Sequence, residues 1–127
     1  MLHILVGEEA ALEDVRQAAA NRKPVGWIVP KAAKPGDKVV LFFPHLRGFF
    51  AHGETSSTPK STSFGRKPAF EAAVGNIISY GSPIPLKVVA DRFPNWRWVD
   101  YPRSLTTPKP PAVAAELLSF LLTQDSM

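Results

Sequence analysis

The sequence predicts a small α+β fold, mainly β: a closed barrel of about six strands with two or three peripheral helices. Three observations lead there. Thirteen prolines interrupt the 127 residues so often that only two long runs are free to be helical. Seven short runs between those prolines read as strands, each bounded by Gly, Pro, Asn or Asp. Apolar residues make up 45% against 20% charged, which suits one packed core and excludes wholesale disorder.

In chain order, the first strand-like run is His3–Val6. Glu8 to Asn21 then reads as a helix: Leu12, Val15 and Ala19 share a face, and four acids crowd its first turns, where the helix dipole favours them. Val25–Val29, Lys38–Phe43 and Arg47–Glu54 follow as strands. Lys38–Phe43 (KVVLFF) has no polar alternation, so it is expected to be central and covered on both faces. Before it, Lys34-Pro-Gly-Asp-Lys is a tight turn. Pro35 pre-sets φ, Gly36 takes the positive-φ position, and Asp37 bonds back to the backbone.

Thr55–Lys67 (TSSTPKSTSFGRK) is polar and basic, lacks periodicity, and is expected to be a mobile loop within a single domain spanning residues 1–127. Val74–Tyr80, Ile84–Val89 and Asn95–Tyr101 complete the strand-like runs. Pro110 to Thr123 reads as the second helix, with two prolines at its start and Val113, Leu117, Phe120 and Leu121 at helical spacing.

Composition also narrows function. No cysteine is present, which excludes disulfides, a thiol nucleophile and thiolate metal sites. No stretch reaches the roughly 18 apolar residues that cross a bilayer, and the acidic N-terminal region does not read as a signal peptide. A soluble, cytoplasmic protein with no membrane partner is the expectation. The net charge of +4 is unevenly spread. Residues 1–21 carry Glu8, Glu9, Glu13 and Asp14 against Arg16, while the nine Lys and Arg of residues 22–67 face only Asp37 and Glu54. A localised basic block of this kind suits a polyanion, with Arg47, Lys60, Arg66 and Lys67 as its phosphate partners.

No GxSxG, P-loop, HExxH or GxGxxG motif occurs, so no catalytic residue is assigned. His45 and His52 lack a neighbouring carboxylate pair at ligand spacing, and neither a metal nor a cofactor is expected.

The order Trp27-Ile-Val-Pro, then Lys34-Pro-Gly-Asp-Lys-Val-Val-Leu-Phe-Phe, then Gly48-Phe-Phe-Ala-His-Gly-Glu resembles the EVE and YTH branch of the PUA-like fold. Pro83-Ile-Pro-Leu and the later Asn95-Trp-Arg-Trp-Val suit the same layout, and the resemblance covers roughly residues 1–105. It implies a non-catalytic nucleic-acid-binding module for DNA or RNA that reads a flipped, modified base in an aromatic cage. A base presents two π-faces, and stacking contributes ~1–3 kcal/mol per base. Trp27, followed by Ile28, matches the first cage tryptophan, and Leu86 falls where relatives place a second wall. Trp96 or Trp98 is expected to supply the missing wall, with His52 donating to base or phosphate.

The chain departs from the pattern after its first strand. Val6-Gly7-Glu8-Glu9 stands where relatives carry a lysine or serine, so Glu8 is expected to accept from an exocyclic amine. Relatives also imply other proteins or fused nuclease-type domains as partners. Two further readings stand beside this one: a small ASCH-like hydrolase, and a protein–protein adaptor using the C-terminal helix.

Overall fold

A computed structural model describes residues 2–103 and 110–126. Its strands are β1 (Leu2–Val6), β2 (Val25–Val29), β3 (Lys38–Phe43), β4 (Gly48–Thr55), β5 (Lys60–Phe64) and the long β6 (Lys67–Pro85). Three helices accompany them: α1 (Leu12–Asn21), α2 (Leu86–Arg92) and α3 (Pro111–Asp125). This is a mainly-β α+β fold, as the sequence predicts.

The six strands form one curled mixed sheet in the order β1-β3-β4-β6-β2, with β5 also paired to β6. β1 runs parallel to β3, and every other pairing is antiparallel. The barrel is not closed. Among the described residues no pairing joins β1 to β2, so the sheet is a half-barrel with a seam between its first and last strands. The connection across that seam is α1, which buries Val15 and Ala18 in the cluster that holds Trp27.

β3 is central, between β1 and β4, and all its residues after Lys38 are buried. Its side chains alternate between two cores. Val40 and Phe42 join a cluster beneath α2 and α3, whereas Val39, Leu41 and Phe43 join the cluster beneath α1 and β2. Phe49 belongs to the first cluster, and the register shift between Phe49 and Ala51 then places two neighbours in sequence, Phe50 and Ala51, together in the second.

The turn before β3 forms as expected. Gly36 has φ +92°, and its N–H donates to the Thr55 carbonyl at 2.7 Å. Asp37 Oδ2 accepts from the Lys34 N–H at 2.9 Å and from Nε2 of the fully buried His3 at 2.7 Å. Burial works to raise the Asp37 pKa; the His3 and Lys34 hydrogen bonds outweigh it and hold the carboxyl below its ordinary value.

Three further expectations are corrected. Thr55–Lys67 is not an irregular loop: residues 60–64 form β5, and Phe64 pairs with Lys67 across a two-residue turn. Gly65, at φ +64°, occupies the first central position, as a type II′ hairpin turn requires. The segment before β5 is held by hydroxyls, with Ser57 Oγ accepting the Ala73 N–H at 2.9 Å and Thr55 Oγ1 donating to the Lys34 carbonyl.

Ile84–Val89 is not one strand. β6 ends at Pro85, whose fixed φ of −61° opens α2, and Leu86, Val89 and Phe93 then fall on one buried helical face. Asn95–Tyr101 is not a strand either. Arg97–Asp100 is a 3-10 turn, and its tighter coil stacks Trp96 on Trp98 at 4.7 Å between ring centres.

Candidate functional site

A cavity of about 520 Å³ lies in the seam left by the open barrel. One wall is the end of β1 and the start of the following turn (Val6, Gly7, Glu8), and the opposite wall is β2 from Val25 to Ile28. Asp14 of α1 and Phe64 at the tip of the β5–β6 hairpin also line it. The volume falls within the range typical of small-molecule pockets.

Trp27 lies against Phe43 edge-to-face, with ring centres 6.1 Å apart and planes at 86°. Gly7 permits the close approach on the other side. A Cβ at that position would sit 2.8 Å from Trp27 Cζ2 and 2.6 Å from Phe43 Cε1. The glycine thus fixes the indole position by leaving room for it.

The cavity is acidic within and basic at its margin. Glu8 and Asp14 line it; no Lys, Arg or His does, and among the described residues neither carboxylate forms an ion pair. On the hairpin, Gly65 and Arg66 form the turn between Phe64 and its cross-strand partner Lys67, and Lys60 sits at the other end of β5 opposite Glu71. Lys60 lines a shallower groove that shares Gly26 with the cavity, so groove and cavity meet at β2.

Of the residues expected to form a base pocket, the structure brings together Trp27, Ile28 and Glu8. Leu86, Trp96 and Trp98 lie elsewhere, buried in the cluster beneath α2 and α3. Trp98 packs edge-on against Phe42 at 5.4 Å, and its indole N–H donates to the Arg103 carbonyl at 2.7 Å. These three side chains serve the interior, because the 3-10 turn and α2 point them inward where a strand would have offered one face outward.

His52 is separate again. It is half-buried beside Tyr80, ring centres 5.7 Å apart, and among the described residues neither its Nδ1 nor the Tyr80 hydroxyl has a hydrogen-bond partner. Burial, reinforced by nearby Lys38, lowers the His52 pKa; burial, reinforced by Asp125, raises that of Tyr80. Arg47 takes a left-handed conformation (φ 47°) and lines a different depression with Leu86 and Asp100, so it does not join Lys60, Arg66 and Lys67.

Besides Asp14, sequence reading missed one aromatic residue of the cavity, Phe64. It is 56% exposed, which is unusual for a phenylalanine. The one local signal near it is the Gly-X pair at Gly65-Arg66, which suits a II′ hairpin turn. Among the described residues, no group of three or more His, Asp or Glu side chains is placed to hold a metal ion, and no helix is long and apolar enough to cross a membrane. No family model, no curated protein and no solved structure matches this chain.

Proposed function

We propose that this chain is a nucleic-acid-binding module that takes a flipped, modified base into the Trp27 cavity and holds the phosphate backbone along the basic hairpin. The observation that carries this reading is the hairpin itself. One four-residue β-turn carries Phe64, which lines the cavity, together with Arg66 and Lys67, so an aromatic surface and phosphate partners come from the same turn. Stacking and phosphate contacts are the two contributions that a single-stranded or extruded nucleotide needs. We read the half-barrel as EVE/YTH-like, on the strength of the Trp27 position, the Lys34–Lys38 turn and the central β3.

The test separates the two contributions. In the Trp27→Ala variant, short oligonucleotides should still bind weakly in low salt, with discrimination between modified and unmodified bases lost. Wild-type protein that fails to bind any oligonucleotide in low salt would sink the proposal, as would discrimination that survives the loss of Trp27.

A further inference from the structure

We infer that the base taken into the Trp27 cavity is a cationic one, a purine or pyrimidine carrying a positive charge through ring alkylation. This inference rests on the base-binding reading above and adds the chemical class of the ligand.

The argument starts from charge. Glu8 and Asp14 line the cavity from two different elements, and no cationic side chain lines it with them. Among the described residues neither carboxylate is ion-paired, and both are exposed to water in the open cavity. A base that fills the space displaces that water. With a neutral base, two carboxylates lose hydration and gain at most hydrogen bonds from amino groups. With a cationic base, the ligand supplies the missing positive charge.

The aromatic lining points the same way. A cation against an indole face is attracted by the ring quadrupole, and tryptophan is the strongest of the aromatic partners. Trp27 and Phe64 both contribute to the wall. Carboxylates and aromatics together, without a basic residue, are the surroundings that suit a flat organic cation. The same lining disfavours phosphate, which leaves the backbone to Lys60, Arg66 and Lys67 outside.

Calorimetric titration with nucleosides tests this without the phosphate contribution. The probes are N7-methylguanosine against guanosine and N1-methyladenosine against adenosine, each with wild type and with the Glu8→Gln/Asp14→Asn double variant. Both residues are exposed, so the double variant should keep its fold, and a melt checks this. The expected result is about tenfold tighter binding of each cationic nucleoside by the wild type, a preference that disappears in the double variant. Equal or tighter binding of the neutral nucleosides overturns the inference while leaving the base-binding reading intact. A preference that persists undiminished in the double variant also overturns it, since the carboxylates would not be its source. If no nucleoside binds and oligonucleotide binding is indifferent to Trp27, both readings fall together.

Discussion

The two faces of the sheet treat their tryptophans differently. Beneath α2 and α3, Trp96 and Trp98 stack on each other; Phe42 and Phe49 pack against Trp98, and Phe93 against Trp96, which also borders a smaller depression. Beneath α1 and β2, Trp27 is just as buried, at 8% exposure against 9% for Trp98, yet it borders a cavity about 520 Å³ in volume. Fractional burial therefore does not distinguish a structural aromatic from a candidate binding surface. What distinguishes Trp98 from Trp27 is what lies beyond the ring: packed aromatic side chains around the one, and beside the other a seam between two strands that do not pair with each other.

The largest expected effect breaks that comparison if it fails. Trp98→Ala should cost about 3–5 kcal/mol, because the void is sealed by the surrounding rings and the Arg103 carbonyl loses its donor. Trp27→Ala should cost less, since the space it vacates opens into the existing cavity and admits water. Chemical denaturation of the two variants side by side measures the difference; equal losses would show that Trp27 is an ordinary core residue.

Gly7→Ala sharpens the picture of the open face. The added methyl meets Phe43 and Trp27 below 3 Å, so destabilisation of about 1–3 kcal/mol should accompany altered ligand uptake. The Trp27 ring should shift in the variant's crystal structure; an unmoved ring with unchanged stability contradicts the close-packing account.

The next effect depends on pH. Because the folded-state pKa of Asp37 is lowered, its carboxylate stabilises the protein above the ordinary aspartate range, and that stability is lost as pH falls through the lowered value. Asp37→Asn should cost about 1–3 kcal/mol near neutrality and flatten the acid limb of the stability profile. Denaturant midpoints measured from neutral to acid pH decide this. A variant profile parallel to wild type would remove Asp37 as the source.

The smallest change in stability belongs to the margin. Arg66→Glu/Lys67→Glu should leave melting within about 0.5 kcal/mol of wild type. It should weaken oligonucleotide binding for all sequences alike and reduce the salt slope by roughly two. Sequence-dependent weakening would mean that these side chains touch bases.

Local rules carried much of this fold. β2 and β3 begin and end where apolar runs meet Pro, Gly and Asp, and the Lys34–Lys38 turn has the glycine conformation its residues require. What escaped was set by tertiary surroundings. LKVVADRF suits a strand or a helix by composition, and Pro85 together with the Leu86 N–H, which donates to the carbonyl of Arg47 just before β4 at 2.8 Å, decides for helix. The serine- and threonine-rich β5 buries almost nothing, so no hydrophobic period announces it. For the site, Trp27 and Glu8 were legible because they flank recognisable elements. Phe64 was not, because its position depends on a hairpin whose strands are polar.

β6 has one further consequence, for the order in which the chain folds. Its 19 residues pair with β5 across a two-residue turn, with β4 over a moderate loop, and with β2 from more than 40 positions away. Loop-closure entropy makes the β5–β6 hairpin the cheapest contact to form and β2–β6 among the dearest. The seam strand is thus expected to dock late and to open first in the native state, so the amides of Val25–Val29 should exchange with solvent deuterium faster than those of β3. The wall that carries Trp27 would then be the part of the sheet best able to yield to a ligand, while β3 and its two cores keep their shape.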